Sequence, residues 1–320
     1  MKGVRGRFFG SPFDAWLDRF KPLLGYMALI FALEWVILKY IQRRIRRPAP
    51  DNPLEYVHER KPIADKQVLV CVGDSITRGE VSFNYVELLQ TRLGDRFEVI
   101  NAGINSEVSH DVLQRLDQII ACEPTLVAIL IGTNDANASM SDEGALWLMQ
   151  YRKLPFKPSI GWYEENLEVI VERLQRETRA RIALLSLPPI GEELQSQPVR
   201  TTRWFSEVVR RVARRYQAAY LPVFEQMTEY LTEHPPAETL EHEKWQWHSV
   251  KAIFGSKVLG VELDEIARQQ GLVLHSDMLH LNSQGAGIIA DLIENWARVA
   301  MDDDHQVFSI GAAAFAGADT

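Results

Sequence analysis

The sequence predicts an α/β fold in which helices cover both faces of a parallel sheet. The chain has 320 residues, of which 46% are hydrophobic and 24% are charged, so it can bury a sizeable core. This composition excludes a disordered or fibrous protein. After Lys66, short apolar runs alternate with amphipathic helical segments, which is typical of a parallel sheet with helical crossovers.

Five apolar runs are the predicted strands of this sheet. They cover Gln67–Val72, Phe97–Asn101, Leu126–Ile131 and Ile182–Leu187, with a weaker run around Ala219–Phe224. Helical periodicity predicts helices near Tyr85–Leu93, Val112–Ile120, Trp162–Thr178, Thr202–Tyr216 and Gly285–Ala300. We therefore predict one domain over residues 66–300 and a flexible tail over residues 301–320, which is acidic and then rich in Ala and Gly.

The first 47 residues form a basic segment that differs from the rest of the chain. The formal net charge is +6 over residues 1–66 and −14 over the remainder. Residues 22–41 are almost uniformly apolar and have basic residues on both sides, which predicts a membrane-type helix that anchors the protein in a single pass. Glu34 opposes insertion into the membrane. A helix that packs on the domain or lies in the membrane interface is therefore the alternative interpretation.

Residues 48–65 are rich in proline and charge, which predicts an extended linker between the anchor and the domain. The arginine cluster at residues 43–47 favours a cytoplasmic domain. The acidic body disfavours nucleic acid as a partner, because phosphate binding needs a positive surface. The sequence leaves the oligomeric state open.

No pattern in the sequence calls for a metal or a cofactor. Two cysteines, Cys71 and Cys122, argue against a disulfide framework or a zinc finger. His242 and His248 are six positions apart and do not share a helical face, so we predict a solvated surface there. The motifs G-x-S-x-G, Walker A and strand-associated G-x-G-x-x-G are absent from the sequence.

Polar clusters that contain glycine follow the first three predicted strands. They are Gly73–Thr77, Asn101–Gly103 and Gly132–Asp135, and a fourth polar cluster, Asp277–Asn282, precedes the last helix. In an open parallel sheet, ligands bind outside the carboxyl ends of the strands. We therefore expect the four clusters to meet in one site.

The residue types in these clusters suit nucleophilic catalysis. A serine hydroxyl needs a base to take its proton, and the base works best when a third group orients it. Ser75, His280 and Asp277 fit these roles, because Asp277 would lie beside His280 on one side of a helical turn. The backbone N–H groups of Ser75 and Gly103 and the side-chain amide of Asn134 would form the oxyanion hole.

Each of these residue types also has a structural interpretation. Ser75 alone can cap the following helix. Asn134 and Asp135 can form an Asx turn, and we assign Asp135 a structural role for this reason. Asp74, next to the proposed nucleophile, is predicted to stabilise the turn.

The motif GDSIT, the motif GTND about sixty residues later and a D-x-x-H motif near the end together resemble the SGNH/GDSL hydrolase family. The four residues of its name would be Ser75, Gly103, Asn134 and His280. The resemblance covers about residues 66–300 and implies a three-layer α/β/α sandwich with a flavodoxin-like sheet. It also implies hydrolysis of acyl esters or thioesters without metal, through an acyl-enzyme on Ser75. Leu281 replaces the proline of many members and removes no functional group.

The expected activity is therefore that of a serine ester hydrolase acting on lipid, lysophospholipid, thioester or O-acetyl substrates. An acyltransferase or a polysaccharide O-acetyl esterase with the same site, and a non-catalytic membrane-bound module, are the alternatives. Two insertions, residues 136–160 and 225–276, flank the predicted site. Their apolar residues predict a pocket for an acyl chain, with packing on the flank of the domain as the alternative.

Overall fold

Five short apolar segments pair into one parallel sheet. The computed structural model describes residues 47–59 and 66–316. The strands lie in the order β2-β1-β3-β4-β5, and every pairing is parallel. Their bounds are β1 Gln67–Gly73, β2 Phe97–Gly103, β3 Leu126–Leu130, β4 Arg181–Leu185 and β5 Ala219–Leu221. The predicted five-stranded sheet is confirmed, and β5 is short because a helix begins at Val223.

Helices connect the strands and cover the sheet. Their bounds are α1 Pro53–Glu59, α2 Ser75–Arg78, α3 Tyr85–Leu93, α4 Ser109–Gln114, α5 Leu116–Ile120, α6 Thr133–Ser139, α7 Asp142–Arg152, α8 Ile160–Glu177, α9 Gln197–Arg215, α10 Val223–Glu233, α11 Trp245–Lys257, α12 Leu263–Gln269 and α13 Ser283–Ala316. Helix α13 packs on α3 and α10, whereas α8 packs on α4 and α9. The crossover connections are right-handed and run in opposite directions along the sheet. They therefore place α3, α10 and α13 on one face of the sheet and α4, α8 and α9 on the other.

The chain order of the strands reverses between β1 and β3. This reversal opens a crevice at the carboxyl ends of the two strands, where ligands bind in folds of this kind. Residues 69–72 of β1 and 126–130 of β3 are buried, as expected for central strands covered on both faces. The core thus holds the ends of β1 and β3 rigidly, and the polar clusters extend from those ends.

Two helical predictions need correction. The helix predicted near Val112–Ile120 is divided into α4 and α5 at Arg115, whose buried guanidinium donates to the Ala102 carbonyl at 2.7 Å and pairs with Glu107 at 2.7 Å. The region predicted as an extended linker contains α1, which contacts β2, and the Tyr56 hydroxyl donates to Glu98 at 2.6 Å. Pro53 is buried and Tyr56 packs against the core, and the proline-rich, charged pattern of the sequence does not indicate these contacts.

The C-terminal helix is longer than the predicted Gly285–Ala300. Its backbone continues to Ala316, since residues 311–316 contain no proline and four alanines, the best helix former. The predicted membrane-type helix over residues 22–41 lies outside the described residues. Within the described ranges, no helix combines the length and the apolar character that crossing a membrane requires.

Candidate active site

Ser75 is the first residue of α2, and only Asp74 separates it from the end of β1. Asp74 caps this short helix, because its Oδ1 accepts the Ile76 N–H at 3.0 Å. The helix ends at Gly79, whose φ of 70° is left-handed and favours glycine. This tight strand-to-helix turn presents the Ser75 hydroxyl at the crevice between β1 and β3. Ser75 therefore starts the helix and Asp74 supplies the cap.

His280 lies beside Ser75, although 205 positions separate them in the chain. The distance from Ser75 Oγ to His280 Nε2 is 3.0 Å, and His280 Nδ1 lies 2.8 Å from Asp277 Oδ2. Because the buried carboxylate can only accept, Nδ1 carries the proton and leaves the Nε2 lone pair to accept from the hydroxyl. All three side chains are buried or nearly so.

The contact between Asp277 and His280 differs from the predicted helical turn. Residues 275–281 form a tight loop, closed by the antiparallel bridge between His275 and Leu281 and by the bond from Ser276 N–H to the His280 carbonyl at 2.8 Å. Asp277 Oδ1 accepts the backbone N–H groups of residues 279 and 280 at 2.6 and 2.7 Å. This Asx-type turn, and not a helix, brings the carboxylate under the imidazole.

The two groups shift each other's pKa in opposite directions. Burial raises the pKa of Asp277, but the charge of His280 and the bonds from its ring and backbone outweigh burial and lower the pKa to about 2. Burial lowers the pKa of His280, but the charge and hydrogen bond of Asp277 outweigh burial and raise the pKa above 6.5. Asp277 is therefore ionised at neutral pH and stabilises a protonated imidazole.

Gly103 does not present a free N–H group to this site. Its N–H donates to Asn101 Oδ1 at 3.0 Å, and Asn101 Nδ2 donates to the Thr77 carbonyl at 3.0 Å. A Cβ atom at Gly103 would lie 2.2 Å from the Arg78 nitrogen. The geometry corrects the predicted oxyanion role, because this glycine lets β2 pass close to α2.

Asn134 lies at the start of α6, next to Asp74. Its Nδ2 donates to the Glu107 carbonyl at 2.9 Å and more weakly to Asp74 Oδ2 at 3.3 Å. The loop after β2 thus runs beside this amide. In that loop Ser106 has a φ of 62°, and its N–H donates to no group in the described part of the chain. Asn134 and the N–H groups of Ser75 and Ser106 are therefore the donors available near the nucleophile.

Two further aspartates are buried beneath these donors. Asp135 accepts the Ser109 N–H at 3.0 Å and the Ser109 hydroxyl at 2.7 Å, which fits the predicted structural role. Burial raises the pKa of Asp135 to about 6. Burial also raises the pKa of Asp74 to about 7, against the bond from Ile76 and the charge of His280.

Glu192, in the loop after β4, was not singled out by the sequence analysis. Its buried carboxylate accepts the backbone N–H groups of residues 273, 274 and 275 at 2.7–2.9 Å and lies 3.0 Å from His275 Nδ1. The bond from His275 lowers the pKa of Glu192 against the effect of burial. Glu192 therefore fixes the segment that leads into the Asp277–His280 loop. A lone glutamate in a loop carries no sequence signal for this role.

A cavity of about 280 Å³ lies beside Asp277 and is lined by both polar and apolar side chains. Leu240 and Leu272 of the longer insertion line it together with Met278, whereas Trp147, Trp247 and Phe254 do not. His242, at its edge, lies 2.9 Å from Asn137 Oδ1, so the longer insertion contacts α6. No cluster in residues 47–59 and 66–316 is arranged to hold a metal ion. The polar residues that line the cavity include Glu193, Ser196, Gln197, Glu238, Thr239 and Glu241.

A hydroxyl, an imidazole and a carboxylate linked in this order are typical of enzymes with a serine nucleophile. The sequence profile of the GDSL-like Lipase/Acylhydrolase family matches residues 71–288. The chain belongs to this family and is an ester-hydrolysing enzyme, which confirms the resemblance. No curated protein matches the sequence significantly.

Solved structures share the fold at low sequence identity. The acetyl xylan esterase AlAXEase is 18% identical with a TM-score of 0.51, and the match covers 72% of this chain and 99% of that chain. Axe2, an acetylxylan esterase from Geobacillus stearothermophilus, is 20% identical with a TM-score of 0.50, and the match covers 73% and 94% of the two chains. These similarities support the three-layer sandwich.

Proposed function

We propose that the chain hydrolyses acyl esters through Ser75, with His280 as the general base and Asp277 as the group that orients the base. The observation that carries the proposal is the continuous chain from Ser75 Oγ through His280 to Asp277, with contacts of 3.0 and 2.8 Å. Oγ attacks the acyl carbon while its proton passes to Nε2. The departing alcohol takes that proton, and water then releases the acid with His280 again as base.

The oxyanion of each tetrahedral intermediate needs donors that are already in place. In this proposal they are the N–H groups of Ser75 and Ser106 and the amide of Asn134. The longer of the two Asn134 contacts, 3.3 Å to Asp74, is the one that the oxyanion replaces. Gly103 is excluded as a donor because Asn101 occupies its N–H group.

The proposed substrate is an ester with a short acyl group and a polar, hydroxyl-rich alcohol. The cavity beside Asp277 is lined by hydroxyl, amide and carboxylate side chains as well as by Leu240, Leu272 and Met278, and its polar groups can bind the hydroxyls of such an alcohol. Other apolar residues of the insertions pack in the protein, as Leu148 does, or face solvent, as Trp147 and Trp247 do. Structures of similar fold carry the name acetyl xylan esterase, a substrate type consistent with this proposal.

The test is hydrolysis of p-nitrophenyl esters of increasing acyl length by the wild type and by Ser75→Ala. Ser256→Ala, a serine of α11 outside the site, is the matched control. We expect turnover to be highest for acetate, to disappear in Ser75→Ala and to persist in the control. A fluorophosphonate should label only proteins that retain Ser75. Turnover by Ser75→Ala contradicts the role of Ser75 as the nucleophile. An optimum at long acyl chains contradicts the proposed short acyl group.

Acyl transfer is the second candidate function, and the cavity beside Asp277 favours it because its polar side chains offer a second alcohol a place to bind. In acyl transfer, the hydroxyl group of a second alcohol attacks the acyl-enzyme in place of water. Product analysis with added sugar alcohols separates the two functions, since transfer gives a new ester and hydrolysis gives only acid.

We further propose that residues 22–41 anchor the enzyme in a membrane, with the domain on the cytoplasmic side. The apolar stretch and its flanking basic residues support this proposal. Cell fractionation with and without residues 1–47, followed by protease protection of the domain, tests the anchor and its orientation. Recovery of the full chain in the soluble fraction contradicts it.

A further inference from the structure

Helix α11 presents an apolar face to solvent. Trp247, Val250 and Phe254 of the helix and Val258, its C-cap residue, are between 53% and 66% exposed, and they span about 80° of arc at 100° per residue. Ser249 and Ala252, on the other side of the helix, are buried. One side of the helix therefore packs on the protein, and the apolar side faces solvent.

Lysines border the exposed side of this helix. Lys251 and Lys257 project at its two edges and form no ion pair within the residues that the structure describes. Lys244, one turn earlier, pairs with Glu241 at 2.6 Å. This exposed stripe therefore offers a membrane interface both apolar side chains, including tryptophan and phenylalanine, and positive charge at its edges.

We propose that this face of α11, the α11 stripe (Trp247, Val250, Phe254 and Val258), docks on an anionic lipid surface. The unpaired lysines complement anionic headgroups, at about fivefold in affinity for each lysine. An isologous contact between two copies would instead bring four lysines into one interface, which like charge opposes. The proposed membrane anchor at residues 22–41 is a separate reason to expect the chain at a lipid surface.

Docking in this orientation has a consequence for the site. The α11 helix begins three residues after His242, which lines the cavity beside Asp277. The stripe would therefore hold one wall of that cavity at the level of the headgroups. The inference does not depend on the proposed esterase mechanism, because it concerns a surface and not the reacting groups.

The experiment uses the full chain with one reactive cysteine on the stripe, Phe254→Cys, labelled with an environment-sensitive fluorophore. Cys71 and Cys122 are buried, so the reagent labels the introduced thiol. Val169→Cys on α8, where the native valine is 40% exposed, is the matched control on another helix. Vesicles contain phosphatidylglycerol and phosphatidylcholine, or phosphatidylcholine alone, with a nitroxide lipid as quencher.

We expect quenching at position 254 to exceed that at position 169 several-fold in the anionic vesicles, and to fall in Lys251→Gln and Lys257→Gln. Equal quenching at the two positions, or no association with vesicles, overturns the inference. If the unlabelled Phe254→Cys variant forms a disulfide-linked dimer without lipid, the stripe binds a second copy of the chain, and the proposed docking on lipid is overturned. Turnover of p-nitrophenyl acetate monitors folding, and Trp247→Cys replaces Phe254→Cys if that variant misfolds. Quenching stays readable even if the esterase activity fails.

Discussion

Replacing Asp277 by Asn preserves the shape of the side chain and changes its hydrogen bonding at one atom. The amide oxygen can keep the Oδ1 position, where it accepts two backbone N–H groups at 2.6 and 2.7 Å. The amide nitrogen then lies about where Oδ2 was, 2.8 Å from His280 Nδ1, and can only donate. Nδ1 must become an acceptor, so the ring proton moves to Nε2. That nitrogen faces Ser75 Oγ and no longer accepts its proton.

This loss of the reactive tautomer sets the expected magnitude. In serine proteases the corresponding change lowers kcat by about 10⁴, which is about 5.5 kcal/mol of activation free energy. We expect a similar decrease in kcat and little change in KM, because Asp277 acts through His280. Among the influences that raise the pKa of His280, the charge of Asp277 is the largest. Wild-type kcat/KM should therefore rise with pH through a midpoint above 6.5, and the midpoint of Asp277→Asn should be lower.

The assay is the initial rate with p-nitrophenyl acetate from about pH 5 to about pH 9, a range that includes the titration of histidine. Asp291→Asn, at a side chain that is 61% exposed, is the control and should behave as the wild type. A kcat within tenfold of the wild type refutes the orienting role of Asp277. An unchanged midpoint refutes the assignment of the titration to His280.

Three other substitutions follow from the geometry of the site. Asn134→Ala should lower kcat about 10²–10³-fold in the same assay, and a smaller effect excludes it as an oxyanion donor. Gly103→Ala should lower the free energy of unfolding by roughly 1–3 kcal/mol in urea titrations, since its Cβ would lie 2.2 Å from the Arg78 nitrogen. The pKa of Asp74 is about 7 in the folded protein and 3.8 in the unfolded chain. The free energy of unfolding should therefore fall by up to about 4 kcal/mol as the pH rises from 3.8 to about 7. Asp74→Asn should flatten that slope, and an unchanged slope contradicts the burial argument.

The sheet was predictable because buried parallel strands are apolar on both sides and stand out in the sequence. The runs around Val70 and Ile129 are of this kind, and both lie in central strands. The insertions were harder, because their apolar residues divide between two environments. Leu148 packs in a small cluster with Leu154, while Phe254 faces solvent. Residue type alone does not distinguish a core contact from an exposed one.

The site was partly predictable for a related reason. The order of motifs indicated Ser75, Asp277 and His280, since these roles depend on side-chain chemistry. Whether the Gly103 N–H group can serve as an oxyanion donor depends on the direction in which it points. In the structure it points to Asn101 Oδ1, and the sequence does not indicate this direction. Similarly, the three N–H groups that Glu192 accepts lie 81 to 83 positions away in the chain, a separation that no local pattern encodes.

Asp74 and Asp277 show how the fold gives one residue type two electrostatic states. Both carboxyl groups are buried, so desolvation disfavours the charge of each. Asp277 receives two backbone N–H bonds and one from His280, and its pKa falls to about 2. Asp74 receives one backbone bond and a weak bond from Asn134, and its pKa rises to about 7. The charge therefore concentrates behind the imidazole, where it stabilises the imidazolium. A fully charged Asp74 beside Ser75 would oppose the developing oxyanion, and a pKa of about 7 leaves Asp74 only about half charged at neutral pH.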